Sequence, residues 1–554
     1  MATFSKEQGI TVIGICSAFD IIIVCGIDMG CYLSLGKLES TPAPSNGTST
    51  TNGTRSNKVS QSWLWKTISN KFLQGKSRYS QWQISLIKRH LLLVVAATFL
   101  LAVRWRVMGS APPTFQVHDN PHSFVEGGFF RALNYNYLYA INAWILVCPQ
   151  WLCFDWSMGC VPTIESLTDV RLVCLAALWT VLSLLAWTCL YAENTRLKRS
   201  LSLAMALIII PFLPATNILF RVGFVVAERV LYLPSAGFCL VVVLGVQQLS
   251  LKKGFSKVIG FGFLLLLLVF SSRSVQRSNE WRRGMWLFKS GENVCPLNAK
   301  VHYNIAKLSS DSGNTTFAIE QYELAIKLNP VYDQAMNNLA NIYKDQNKVE
   351  EAEILLDKAV QISPDFAAAW MNRGIVKGAL KKYSEAEHSY KQGIRCRRNY
   401  PDCYYNLGNL YLDMNRSQDA LDAWRNATVL KPTHWNSWNN AIILMDNLKM
   451  YDQAENLALT ALKIMPDNPS LIFSLANVYG KQEKYAESEK MFLAAIKRDP
   501  SNPNIHLNLG VLYHRWGKYN QAEASYQRSL LISPNNAIAL ENMNLLKAKM
   551  KSSS

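Results

Sequence analysis

Glycine is sparse in this chain, 28 of 554 residues, and cysteine sparser still, at 12. The first scarcity excludes a collagen-like repeat and the second a small disulfide-stapled scaffold. Charged residues make up 17% against 49% hydrophobic, which excludes intrinsic disorder. No paired cysteine spacing points to zinc. No basic n-region with a small-residue cleavage site flanks the first apolar stretch, so no cleavable signal peptide is expected. Acidic residues are short as well, with 39 Asp and Glu against 57 Lys and Arg and a net charge of +18. That excess would suit nucleic acid or anionic lipid, but no groove-reading motif accompanies it.

The length predicts two to four domains. A mean hydropathy of +0.03 is too high for an ordinary soluble enzyme and too low for a pure membrane bundle, so two unlike halves are averaged in it. In the first half the apolar stretches approach the ~20 residues a bilayer-spanning helix needs. They are Gly9–Leu35, Leu91–Val107, Leu172–Tyr191, Leu201–Leu219, Gly223–Leu249 and Val258–Phe270. After about Ser272 a polar, helical pattern takes over. The expected class is all-α: a multi-span membrane domain over 1–272, a junction over 273–298, and a soluble arm beyond.

Positive charge orients the spans. Between Lys37 and Arg89 nine Lys and Arg stand against the single acid Glu39, within a basic low-complexity loop over 36–90. Arg196, Lys198 and Arg199, then Lys252, Lys253 and Lys257, mark two further cytoplasmic connections. The 109–170 region is poor in Lys and Arg and falls on the lumenal face. Tyr135–Asp155 is then either a re-entrant or interfacial hairpin around Pro149, or a kinked span. The last span carries the arm into the lumen. Arg273, Arg277, Arg282 and Arg283 argue against that placement, and the sequons at Asn314, Asn415 and Asn426 for it. Asn46 and Asn52 also begin sequons, in the loop placed in the cytosol.

From Ala299 the chain repeats every 34 residues, the tetratricopeptide period. Seven repeats fill 299–536 without an insertion, starting at 299, 333, 367, 401, 435, 469 and 503. The eighth position is Ala or Gly except at Ile442. The thirty-second is Pro except at Arg398. Trp281–Pro296 has the look of half a degenerate repeat, and 537–554 holds a capping helix and tail. The sixth position reads Asn304, Asn338, Asn372, Asn406, Asn440, Ser474 and Asn508. An amide both donates and accepts, so such a row along a groove can hold an extended polypeptide whatever its side chains. The same amides could instead bond neighbouring repeats together.

Charges within the apolar half are candidates for chemistry. Glu228 and Arg229 lie inside the run Val222–Pro234, where an ionisable pair is either functional or a structural ion pair. Arg229 could grip a lipid phosphate, with Glu228 beside it. Asp20 and Asp28 raise the same question in the first stretch. Asp119 and Asp155, with His118, are polar groups on the lumenal face and weak candidates for a base. Nine of the 12 Cys precede Val258, mostly as small hydrophobes, while Cys396 and Cys403 could bridge in an oxidising lumen.

Lys6–Ile10, Asn120–Pro121, Asn134–Tyr137, Cys153–Cys160 and Val222–Ser235 resemble the TMTC proteins, transmembrane and tetratricopeptide-repeat O-mannosyltransferases acting on cadherins. His302–Asn304, Phe366–Met371, Pro401–Gly408 and Tyr513–Gly517 look most like the fourth member. The resemblance covers nearly the whole chain outside Thr41–Ser80. It implies a GT-C-like, multi-span enzyme of the endoplasmic reticulum. Mannose would pass from dolichyl-phosphate mannose to Ser or Thr of cadherin-type proteins, with no bound cofactor and no metal. The family's acidic pair, expected in its first lumenal loop, has no counterpart after Met1, so the chain resembles an N-terminally truncated member lacking the catalytic acid. The other reading is a non-catalytic, membrane-anchored lumenal adaptor whose repeats bind client proteins or an ion pump.

Overall fold

A computed structural model describes residues 11–26, 81–108, 115–251 and 256–553. Helix is the only regular structure among them, as the periodicity predicts. They divide into two compact units, one ending at Asn329 and the other beginning at Pro330. The first repeat therefore belongs to the membrane unit, whereas the sequence places the junction at 273–298.

Five helical stretches among the described residues are long and apolar enough to cross a membrane: Gln81–Val107, Leu172–Tyr191, Thr195–Ala215, Glu228–Ser250 and Ser256–Glu280. The chain is a multi-pass membrane protein. The helices in chain order are α1 (Thr11–Phe19, continued by a π-helical turn to Val24), α2 (Gln81–Met108), α3 (Gly128–Val147) and α4 (Leu172–Tyr191). They continue with α5 (Thr195–Phe212), α6 (Tyr232–Ser250), α7 (Ser256–Glu280) and α8 (Gly284–Val294). α5 and α6 approach closely at Gly237, where an added Cβ would come within 2.5 Å of the Ala204 carbonyl oxygen. Small residues serve this purpose between membrane helices, where apolar burial no longer drives association. Asp20 is buried in the π turn and paired with Arg89 of α2 at 2.9 Å, so this charge is structural. Asp28 lies outside the described residues, as do the sequons at Asn46 and Asn52 and most of the 36–90 loop. Lys88 and Arg89 are helical, because α2 begins ten residues before the apolar run.

The segment expected as a hairpin or kinked span divides at Pro149 into helix and irregular chain. α3 ends at Val147, just ahead of Pro149, and irregular chain follows to Val170. The helix exposes Phe129, Trp144 and Val147 and buries Asn134, Leu138, Asn142 and Ile145. α7 outlasts its apolar run by ten residues. Arg273 and Arg277 thus stand in its last turns, where Glu280 pairs with both, at 3.5 and 2.7 Å. Two of the four arginines that argued against the lumenal exit are balanced locally.

In the repeats the small eighth position answers a large residue in the second helix of the same repeat. A Cβ added at Gly374, Gly408 or Gly510 would fall within 2.6 Å of Tyr390, Trp424 or Tyr526. The misfit Ile442 faces the inverse exchange, since Ala458 occupies the aromatic's place and both are fully buried in one cluster. Every turn between paired helices carries one residue at positive φ, at Gly313, Asn347, Lys381, Asn415, Lys449, Glu483 and Gly517. That left-handed residue closes the first helix and lets the second fold back. α8 packs ahead of the first repeat as the half unit the sequence anticipates, and Ala537–Ser553 forms the terminal helix.

The volume exchange is testable. Ile442→Ala is expected to cost about 2–5 kcal/mol as a cavity, and Ala458→Phe alone to overpack. The double variant reproduces the Ala476 and Phe492 pair of the next repeat and should recover most of the loss. Urea denaturation of the four proteins measures the coupling, and additive losses would show that the two positions do not compensate.

Candidate functional site

Three buried polar side chains stitch the loops of the membrane unit together. Asn120 donates from Nδ2 to Asn217 Oδ1 at 3.1 Å and to the Val222 carbonyl at 2.9 Å. Asn217 Oδ1 in turn accepts from Ser123 Oγ and the Val222 amide. Asn134 of α3 pairs with both backbone groups of Ile164, at 2.8 and 2.9 Å, and its Oδ1 meets His122 Nδ1 at 2.9 Å. Gly223 is required here, because a Cβ would lie 2.4 Å from the Phe115 ring. These contacts draw residues 115–124, 157–164 and 213–226 into one frame.

The frame encloses a cavity of about 310 Å³, lined among others by Asp119, Asp155, Trp156, Glu228, Arg229 and Lys300. Four of the charged residues singled out from the membrane half, Asp119, Asp155, Glu228 and Arg229, meet there. They are not equivalent. Asp155 is engaged at both oxygens: Oδ1 accepts from the Ser157 amide at 2.8 Å, and Oδ2 from Lys300 Nζ at 2.6 Å. Burial pushes its carboxyl up, but Lys300 and Ser157 outweigh burial and hold it below the usual aspartate value. Such a group is a latch rather than a base. Asp119 accepts the Gln116 amide at 3.0 Å and closes its own turn.

Glu228 opens a single 3₁₀ turn before α6, at the end of the helix and not along its length. Its ion pair is with Arg277 of α7 at 3.5 Å, not with Arg229. Glu228 Oε1 and the Trp156 indole nitrogen are both closed to solvent, and the indole serves the carboxylate as a hydrogen-bond donor. Arg229 is exposed, has no ion pair among the described residues, and lies 6.0 Å from the Phe224 ring centroid. Among the described residues no group of three His, Cys, Asp or Glu could hold a metal ion.

Sequence reasoning missed Trp156, Arg277 and Lys300, and paired the wrong cysteines. The disulfide joins Cys160 to Cys295, 135 residues apart. Cys396 and Cys403 are both free. Cys396 is exposed at a helix end with its thiol 3.3 Å from the Pro364 carbonyl, and Cys403 is buried against that of Tyr390. A signal existed, since Cys160 and Cys295 both lie in segments that the charge count puts in the lumen. Cys148 and Cys153 share that placement, so spacing alone could not choose.

The sixth-position amides lie outside the cavity. Asn372 donates to Asn337 at 2.8 Å, Asn440 to Asn409 at 3.1 Å and Asn508 to Asn477 at 3.0 Å, each in the preceding repeat. Ser474 does the same toward Asn439 at 2.7 Å. Asn304 turns back to the Lys300 carbonyl, and Asn338 accepts from Asn337. Asn406 differs, because Met371 and Ile375 occupy the two positions that supply an amide elsewhere. The sequons at Asn314, Asn415 and Asn426 are all exposed.

Two outcomes follow for the latch. Because the Asp155 pKa is depressed, its contribution is complete above the unfolded value of about 3.9 and is lost as pH falls through the lower folded value. Lys300→Met should therefore cost roughly 1–2 kcal/mol at pH 7, with allowance for the exposure of Lys300. The difference from the parent should shrink as the pH falls below the unfolded value. Replacing Cys160 and Cys295 by Ser should cost about 2–5 kcal/mol at either pH. Thermal melts at pH 7 and pH 3 separate the two, and a Lys300→Met deficit that persists in acid would refute the ionic origin.

The family model described as protein O-mannosyl-transferase TMTC, DUF1736, matches residues 109–183, which include α3 and one wall of the cavity. Tetratricopeptide-repeat models match 299–332, 334–363, 389–422 and 473–537. Protein O-mannosyl-transferase TMTC4 of Mus musculus is 49% identical over 58% of this chain and 39% of its own length. TMTC3 of Homo sapiens is 30% identical over 86% of this chain and 50% of its own, and Tmtc3 of Drosophila melanogaster 32% over 74% and 44%. A tetratricopeptide repeat protein from Parabacteroides merdae aligns with 45% of this chain and 98% of its own, at 17% identity and a TM-score of 0.37. The chain spans half the length, or less, of these three relatives. In its repeats, its 109–183 segment and these relatives, the chain is similar to the TMTC proteins, which are named as protein O-mannosyl-transferases.

Proposed function

We propose that this chain is the acceptor-handling part of a protein O-mannosyltransferase of the endoplasmic reticulum membrane, with its repeats in the lumen. Mannose would move from dolichyl-phosphate mannose to Ser or Thr of cadherin-type proteins. The observation that carries the proposal is the common side of the parts. The cavity, the Cys160–Cys295 bond and the first repeat are built from segments that the charge count puts opposite the basic connections. A disulfide suits an oxidising compartment, and three exposed sequons suit the same one. Glu280 and the carbonyls of Pro149 and Gln150 engage Arg273, which removes part of the contrary charge signal.

In the reaction the acceptor hydroxyl oxygen bonds to the anomeric carbon, the bond to the lipid phosphate breaks, and the hydroxyl proton passes to a carboxylate. Arg229 is the exposed, unpaired cation available to the departing phosphate. A second reading, a non-catalytic lumenal adaptor for client proteins or an ion pump, is favoured by one observation. Asp155 is saturated and Asp119 closes its own turn, which leaves neither as a ready base.

The test is expression in cells stripped of related transferases, with hexose mapped on a cadherin domain by mass spectrometry. Transfer by the chain, or by a longer form containing it and lost with Arg229→Ala, is the expected result. Client capture without hexose in both forms would leave the adaptor. The groove has its own check. Asn406→Ala should weaken capture of an extended peptide several-fold with little change in stability. Asn372→Ala, which strands Asn337, should cost about 1–3 kcal/mol of stability. Equal effects of the two on stability would remove the distinction between them.

A further inference from the structure

Beyond the first repeat, three ties recur where one repeat meets the next. A sixth-position side chain bonds an Asn of the preceding repeat, as Asn372 does to Asn337, Asn440 to Asn409, Ser474 to Asn439 and Asn508 to Asn477. A proline at position 32 stiffens the connecting turn. At Ser363–Phe366, Lys431–His434 and Met465–Asn468 a backbone hydrogen bond closes that turn, at 3.0, 2.9 and 3.3 Å. The joint between the helices Tyr383–Cys396 and Pro401–Asp413 has none of the three among the described residues. Arg398 stands in place of the proline, and the chain from Arg397 to Tyr400 bends without the closing bond. Met371 and Ile375 leave Asn406 no amide in the preceding repeat.

What remains lies at the opposite edge of the joint. Glu387 accepts from the Tyr411 hydroxyl and from Arg416, both at 3.0 Å, beside the turns between paired helices. Between the two edges the packing is apolar, with Tyr390, Tyr400, Cys403 and Leu407 in one buried cluster that crosses the joint. Apolar packing attracts without fixing an angle, whereas hydrogen bonds are directional. We infer that this joint is a hinge in the solenoid, pinned at the Glu387 edge and opening at the Arg397–Tyr400 edge, so that residues 333–396 swing against 401–553 and the groove changes width. A few residues at element ends absorb the backbone change in such motions, and Arg397–Tyr400 are so placed. That a wider groove admits an extended client polypeptide rests on the proposed function.

A native thiol reports the opening. Cys403 is fully buried at the free edge, with its Sγ 3.4 Å from the Tyr390 carbonyl across the joint, and burial pushes its pKa up to about 12. Closed, the joint shields it from alkylation, whereas Cys396 beside it is exposed. The experiment treats the purified full chain in detergent with iodoacetamide and reads each cysteine by mass spectrometry, with hydrogen exchange followed on the same samples. Cys403 is expected to alkylate slowly while the amides of 383–396 and 401–413 stay protected. Arg398→Pro restores the proline at a residue whose N–H makes no backbone hydrogen bond, and Ile375→Asn restores an amide for Asn406. The first should slow alkylation of Cys403 roughly two- to fivefold and the second roughly three- to tenfold, with Cys396 unchanged in both. A retained melting temperature qualifies each variant, and either one alone decides if the other fails to fold. No alkylation of Cys403 in the folded parent, or an unchanged rate in a folded variant, overturns the hinge. Alkylation that keeps pace with exchange in the two flanking helices overturns it as well, since that marks local unfolding. Opening in a chain that captures no extended peptide would leave the hinge standing and sink the proposed role of the groove, and capture without opening would do the reverse.

Discussion

The stretch from Cys148 to Val170 has no helix or strand to support it, and its position is set from outside. Arg273 of α7 donates to the carbonyls of Pro149 and Gln150, Asn298 to that of Asp155, and Lys300 to the Asp155 carboxylate. Cys160 is bonded to Cys295. Irregular backbone is costly to order, by about 1–2 kcal/mol per residue, and a long closed loop is what a covalent link restrains most. The cavity wall, the placement of Trp156 and the inclusion of the first repeat in the membrane unit all depend on this external fastening. Gly291 belongs to it too, since a Cβ there would press on Phe154 at 3.0 Å and on Cys153.

The fastening also limits how charge can be used. A carboxylate that holds a loop by spending both oxygens cannot take a proton from a hydroxyl without releasing the loop. Asp155 is such a group, and its depressed pKa expresses the same fact. Glu228 engages Arg277, while its neighbour Arg229 is exposed and has no ion pair among the described residues. Adjacent in sequence, both line the cavity but have different surroundings, which the pairing of Glu228 with Arg229 would have concealed.

The architecture was legible where a pattern repeats. The 34-residue period, the small eighth position and the closing prolines each recur often enough to locate paired helices, and the structure places them there. Ile442 read as a misfit because a single position was inspected; its partner Ala458 sits sixteen residues on and carries the compensation. The membrane helices were found from apolar runs but were extended by polar turns: α2 begins at Gln81, and α7 runs to Glu280. Hydropathy sees what faces lipid and is blind to the turn beyond it. The cavity was legible only as separate residues. Asp119, Asp155, Glu228 and Arg229 stood out as charges in apolar or lumenal surroundings, yet no local rule says they converge. Convergence depends on Asn120, Asn134 and Asn217, whose partners lie as many as 102 residues away, and on the close approach of Gly223 to Phe115.

The amide row makes the same point for the groove. Read as a column, seven small polar residues look like seven equivalent contacts for a polypeptide. In the structure three Asn and one Ser spend a hydrogen bond on the preceding repeat, and those bonds need an Asn at the fifth or ninth position there. Where that position is Met371 or Ile375, the amide at 406 has no such claim on it. A groove knitted along most of its length keeps a fixed curvature, because neighbouring repeats are bonded as well as packed. Asn406, with Met371 and Ile375 at those two positions of the preceding repeat, stands outside that knitting, which is why the proposed contact with an extended chain is assigned to it.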